Sequence, residues 1–249
     1  MVLDLPVNPR LNALVDNPFT KLRVLLDGVQ PRTNEPHLPW AVGEPQHDPP
    51  PLLVEALAKN AHLWNRYPPP VGTPEYRAAC ATWLTRRYGL PPGTVDGNRH
   101  VLIANGSKEA LFLVAQLAVP AEKAGRRPTV LMPNPYYNVY NGGGTLAGAE
   151  TVYLDCIKAT GFLPDLDAIP ESVLARCALF YLCSPANPQG AVASLDYLKR
   201  AIILARAYDF VLAADECYCD LYDRAPPPGA LEACAALGQG FENVLVFHS

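Results

Sequence analysis

The 249-residue chain contains no apolar run near the roughly 18 residues that a membrane-spanning helix needs. Its opening stretch, MVLDLPVNPRLN, has no basic segment followed by an apolar one, so no secretory leader is expected. Lys and Arg form no block or stripe, and the formal net charge is −4, which sets nucleic acid aside as a partner. Among seven cysteines there is no CxxC pair. Their number is odd and several lie in apolar runs such as CALFYLC (177–183), so they read as small core residues in a reducing cytoplasm rather than as a disulfide frame. Cys217 and Cys219 are close in sequence, but no His or Cys cluster completes a ligand set, and no metal is expected. A dinucleotide loop is also missing. The glycines at 142–144 and 148 fall in or after a tyrosine-rich segment, not between a strand and its helix.

Proline, by contrast, is abundant: 27 residues, about twice the usual ~5%. The prolines cluster at 49–51, 68–70, 91–92 and 226–228, between periodic apolar segments, and so mark stiff loops and helix starts. Six short, β-branched-rich runs read as strands: 100–104, 129–132, 151–154, 178–183, 210–214 and 243–248. Helical spacing occupies 18–28, 52–64, 75–88, 107–118, 136–147 and 195–207. Alternating strands and helices, with continuous rather than alternating apolarity in the strands, predict an α/β fold. Its sheet is mainly parallel and covered on both faces, in three layers. Residues 1–45 read as an arm with part of a smaller domain, and 46–249 as the large sheet domain.

Chemistry gathers where strands end. In IANGSKEALF (103–112) a tight turn at Gly106 and Ser107 starts a helix, which makes either an ordinary cap or an anion site of backbone N–H groups. In CSPANPQG (183–190) two X-Pro steps and Gly190 can hold the Asn187 amide rigidly over the strand ends, or form a plain proline-rich loop. FVLAADECYCDLY (210–222) delivers Asp215 and Glu216 at the end of an apolar strand, with Tyr218 after them. Adjacent carboxylates there are costly unless paired, and harmless if solvated. PNPYYNVY (133–140) places three tyrosines within five residues, able to stack on a planar ligand or to join a core. Tyr67 sits on the stiff loop NRYPPPVGTPEYR (65–77).

In this order and spacing the motifs resemble the class I/II aminotransferases, the fold-type-I pyridoxal-phosphate enzymes, over nearly the whole chain. The resemblance implies pyridoxal 5'-phosphate as cofactor. It pairs Asp215 with the pyridinium nitrogen and Asn187 and Tyr218 with the phenolic oxygen. It stacks Tyr137 on the ring, and it puts the phosphate on Ser107 with the Gly106 and Lys108 backbone. It also implies a homodimer in which Tyr67 reaches the neighbouring subunit's phosphate, and an approach of Gly43, in VGEP, to the substrate carboxylate. The reaction implied exchanges an amino group between an amino acid, glutamate by expectation, and a keto acid. NPFTKLRVLLDGV, VGEPQHDPP and YPPPVGTPEYR are similar to the succinyldiaminopimelate transaminase group, which implies N-succinyl-diaminopimelate in lysine biosynthesis.

Gln189 stands where the family has Thr, a departure expected to be peripheral. The family's Schiff-base lysine is expected just beyond Ser249, after the strand VLVFH, so the chain reads as a fragment whose large domain is incomplete. Lys21, Lys59, Lys108, Lys123, Lys158 and Lys199 all read as solvated surface residues rather than substitutes. Two other readings stay open: a carbon–sulfur β-lyase on the same fold, and a non-catalytic module that binds the cofactor or a partner chain.

Overall fold

The computed structural model describes residues 7–14, 18–30, 32–33, 35, 38 and 47–249. They fall into two compact units, Met1–Val15 with Pro74–Ser249, and Asp16–Thr73. The smaller unit carries α1 (Pro18–Leu26) and α2 (Pro51–Lys59), neither with a buried residue. The helical run at 52–64 breaks at Asn60, whose side-chain amide donates to the Ala56 carbonyl, and a 3-10 turn Ala61–Asn65 follows.

The larger unit holds α3 (Pro74–Arg87), α4 (Gly97–His100), α5 (Ser107–Ala118), β1 (Thr129–Asn134), α6 (Asn138–Ala147) and β2 (Glu150–Asp155). Then come α7 (Glu171–Leu174), β3 (Cys177–Cys183), α8 (Leu195–Ala207), β4 (Val211–Asp215), α9 (Ala230–Leu237) and β5 (Val244–Phe247). The five strands form one sheet in the order β2-β1-β3-β4-β5, and every pairing is parallel. β3 lies at the centre and is buried along all seven residues, as its unbroken apolar run requires.

Its alternate side chains serve two cores. Phe180 and Leu182 pack with Leu198, Ile202, Leu212 and Ala233 under α8 and α9. Leu179 and Tyr181 pack with Leu111, Val114, Val130 and Ala213 under α5 and α6. Each large side chain so buried contributes about 1.5–3 kcal/mol. The expected three-layer α/β fold is therefore present. α9 escapes sequence reading because eight residues, ALEACAAL, are too short and too uniformly apolar to show a period, yet four of them are buried.

One expected strand is absent. Asp96 caps the Asn98 N–H with its carboxylate, and its own N–H donates to His100 Nδ1, so the chain around 100 turns into α4 instead. Val101 is extended, but 101–104 joins no ladder among the described residues, and Leu102 is 84% exposed. Extended backbone becomes a strand only when a neighbour takes its hydrogen bonds. Lys123 also departs from expectation. Its ammonium donates to the carbonyls of Cys177, Tyr208 and Asp209, at 2.6, 3.0 and 2.5 Å, tying the loop before β1 to the starts of β3 and β4.

Candidate active site

In a parallel sheet the carboxyl ends of the strands are where ligands bind. β1, β3 and β4 end at Asn134, Cys183 and Asp215, and each end opens into one of the motif loops. Asp215 is 3% exposed and sits in register between Cys183 on β3 and Phe247 on β5. Its Oδ2 accepts a hydrogen bond from the Tyr140 hydroxyl at 2.5 Å, and Oδ1 accepts the Cys217 N–H at 3.3 Å. Burial, and next the Asp215 charge, push the Tyr140 pKa up, so this hydroxyl keeps its proton and stays a donor.

Tyr137, at the start of α6, meets Tyr140 edge to face with centroids 5.8 Å apart. Its pKa is raised by burial and then by the charges of Asp215 and Tyr218, while the residue remains 44% exposed. Asn187 is held on its loop by Ala186 N–H to Ala191 O at 2.8 Å and by Gly190 N–H to Ala186 O at 2.7 Å, the latter with φ at 69°. Its amide donates to the Tyr218 hydroxyl at 3.1 Å. Tyr137 thus packs against the tyrosine that holds Asp215, and Asn187 and Tyr218 form a bonded pair on the loops after β3 and β4.

At α5 the cap is Gly106, with φ 89° and ψ 157°, and among the described residues no side chain caps the first-turn N–H groups. Open space lies where a Gly106 Cβ would point. Ser107 is half-buried, and Gly106 and Lys108 are exposed. An uncapped helix start facing open space has the donor set and charge for a phosphate. Tyr67 belongs to the smaller unit and is fully exposed. Gly43 lies outside the described residues. Both amide atoms of Gln189 are buried with no hydrogen-bond partner among the described residues.

The sequence pattern pointed to Asp215, but not to what holds it. Tyr140 was visible only as the third tyrosine of PNPYYNVY, one helical turn after Tyr137. Glu216 was expected either to need a partner or to be solvated. It is 3% exposed, and it accepts hydrogen bonds from the Tyr88 hydroxyl and, at 2.7 Å, from the Ala230 N–H. Among the described residues no three His, Cys, Asp or Glu side chains group as a metal site, and no helix is long and apolar enough to cross a membrane.

A parallel sheet covered on both faces, with a buried aspartate, an Asn–Tyr pair and an uncapped helix start at its strand ends, defines the large-domain architecture of the fold-type-I transferases. The chain belongs to the family described as aminotransferase class I and II, whose profile matches residues 35–249. Enzymes of this family depend on pyridoxal phosphate, and a buried carboxylate, an amide–phenol pair and an uncapped helix start are groups of the kinds that bind a cationic nitrogen, an oxygen and a phosphate.

The LL-diaminopimelate aminotransferase of Moorella thermoacetica is 35% identical over 204 residues, 81% of this chain and 50% of the relative. That of Gloeobacter violaceus is 34% identical over 199 residues, 78% and 49%. A crystal structure of an aminotransferase from Neisseria meningitidis matches with TM-score 0.90 at 37% identity, over 98% of this chain and 61% of that one. Aminotransferase AspB from Helicobacter pylori matches with TM-score 0.84 at 33% identity, over 95% of this chain and 60% of that one. The chain spans about half the length of the curated relatives it matches.

Proposed function

We propose that this chain forms the cofactor pocket of an aminotransferase that moves an amino group between glutamate and a keto acid of the diaminopimelate skeleton. The observation that carries the reading is the Asp215 carboxylate: buried at the end of a central strand and clamped by Tyr140, with the bonded Asn187–Tyr218 pair on the loops that follow β3 and β4. A buried carboxylate held this way is a partner for a cationic nitrogen.

In this reading Asp215 keeps a proton on the ring nitrogen. Asn187 and Tyr218 hydrogen-bond the phenolic oxygen. Tyr137 covers one ring face, and the N–H groups around Gly106, Ser107 and Lys108 hold the phosphate. Tyr67 serves the phosphate of the second subunit of a homodimer, and Gly43 the substrate carboxylate. When bound, the pyridoxal ring supplies an electron sink for the carbon that loses its proton.

The stretches NPFTKLRVLLDGV and YPPPVGTPEYR favour N-succinyl-diaminopimelate, while the curated relatives carry names with the unacylated LL-diaminopimelate. Both share the same α-amino end, and the site described here meets that end. The test supplies the purified full-length enzyme with pyridoxal phosphate, 2-oxoglutarate and either amino donor. Glutamate formed from one or both supports the reading. No glutamate, with pyruvate and ammonia released from a sulfur amino acid in the absence of any keto acid, would replace it with a β-lyase.

A further inference from the structure

Asp215 and the start of α5 are the two ends of the proposed cofactor site, and a continuous line of buried contacts joins them. The Tyr140 hydroxyl donates to Asp215 Oδ2 at 2.5 Å. The Tyr140 ring stacks on Tyr181, with centroids 4.5 Å apart and planes 12° from parallel. The Tyr181 hydroxyl donates to the Leu111 carbonyl at 2.7 Å. Leu111 lies one turn inside α5, four residues and so about 6 Å along the axis from Ser107. Neither ring is more than 1% exposed.

α6 is shaped to admit this arrangement. A Cβ at Gly143 would lie 3.3 Å from the Tyr181 hydroxyl and 3.2 Å from Ala115 Cβ, so any larger residue would push α6 and α5 apart by a few tenths of an ångström around the hydroxyl. The Gly143 carbonyl in turn accepts from Gln116 of α5 at 3.0 Å. Burial raises the pKa of both tyrosines, so both remain donors at any working pH.

We infer that Tyr140 and Tyr181 form a two-ring strut that orients Asp215 and sets its position relative to the first turn of α5. One ligand can then meet the carboxylate with its ring nitrogen and the helix start with its phosphate. The inference rests on the reading of Asp215 as the ring-nitrogen partner. It makes Tyr140 a positioning residue and leaves Oδ1, which accepts the longer 3.3 Å bond from the Cys217 N–H, as the oxygen turned to the ligand. A phenyl ring would fill the same space, so packing alone does not call for the hydroxyl.

The probe is pyridoxamine 5'-phosphate, which forms no bond to a lysine and so reports the pocket alone. Its affinity is measured by calorimetry for the wild type, Tyr140→Phe, Asp215→Asn and the double variant, with circular dichroism to verify folding. Losing a hydrogen bond to a charged group should weaken binding about tenfold or more in Tyr140→Phe. In the Asp215→Asn background the same change should cost less than about twofold, because the charge it orients is gone. Equal losses in both backgrounds would mean a packing role and overturn the strut, as would an unchanged affinity in Tyr140→Phe. If that variant does not fold, Tyr181→Phe in the same two backgrounds carries the test, with the same outcomes deciding. A wild type that binds no pyridoxamine phosphate would instead sink the cofactor reading, and the strut with it.

Discussion

Asp215 and Glu216 are neighbours in sequence, both carboxylates, both 3% exposed, and they end in opposite surroundings. The strand pleat sends Asp215 toward α6, where Tyr140 and the Cys217 N–H hold it. It sends Glu216 the other way, where its two oxygens are taken by Tyr88 at the end of α3 and by the first N–H of α9. The Glu216 N–H also donates to the Phe247 carbonyl at 3.0 Å, and His248 Nε2 lies 3.9 Å from its Oε2. Glu216 therefore knots four elements together, while Asp215 is left with capacity for something that is not protein. Two equal charges at one strand end have divided into a structural group and a ligand-facing one.

The largest effect that tests this division is on Asp215. Replacing it with Asn should lower the aminotransferase rate ~10²–10³-fold, the usual loss when a preorganised charge is removed. The urea midpoint should stay close to wild type. A variant that unfolds readily but turns over normally when folded would reverse the assignment of the two carboxylates.

Glu216→Ala should show the opposite. It leaves the Tyr88 hydroxyl and the Ala230 N–H buried without an acceptor, at about 1–3 kcal/mol each. Urea unfolding should record that loss, and the activity per folded molecule should change little.

The same comparison explains which parts of the molecule could be read in advance. The strands were legible because β1, β3 and β4 are unbroken apolar runs, and Asp215 because a carboxylate ending such a run is anomalous. The strut was not legible, since Tyr140 and Asp215 are 75 residues apart, and Tyr88 and Glu216 are 128 apart. Nothing local in PNPYYNVY separates the tyrosine that caps Asp215 from the one left exposed beside it. HVLIA failed for the complementary reason: its composition is that of a strand, but strand identity belongs to a pair, and Asp96 captured its first residue into a turn.

A smaller effect lies in pH. Burial raises the Glu216 pKa to about 7 and lowers that of His248 to about 4. The groups facing this pair are Tyr88 and Arg87 at the end of α3, with Asp215, Cys219 and Asp220 on the β4 side. A raised carboxylate makes the fold hold more protons than the unfolded chain from about 4.5 to 7, so stability falls as pH rises through that window. A lowered histidine does the reverse from about 6.5 down to 4, so its contribution falls as pH falls. The two slopes oppose each other, and the wild type should be nearly flat between pH 4.5 and 6.5. Glu216→Gln keeps an acceptor for the Ala230 N–H and unmasks the histidine, so its stability should climb by roughly 2–3 kcal/mol from pH 4 to 6.5. Urea midpoints across that range check it, and a flat profile in the variant would count against the opposed pair.

The smallest effect sharpens the comparison at two helix starts. Ser194 precedes α8, and its hydroxyl accepts the Tyr197 N–H at 3.2 Å. Ser107 opens α5 one residue after the glycine that occupies the cap, and the structure gives that cap no side-chain bond. The sequence offers Ser at a helix start in both places, but of the two only Ser194 satisfies an N–H that would otherwise be orphaned. Ser194→Ala should therefore cost about 1 kcal/mol of stability with unchanged phosphate-ligand affinity. Ser107→Ala should leave stability within about 0.5 kcal/mol and weaken pyridoxamine phosphate severalfold, since one neutral hydrogen bond is worth about 0.5–1.5 kcal/mol. Thermal melts and calorimetry on the pair separate the outcomes. A Ser107 variant that loses stability and keeps its ligand would make α5 an ordinary capped helix and take the phosphate end away from the proposed site.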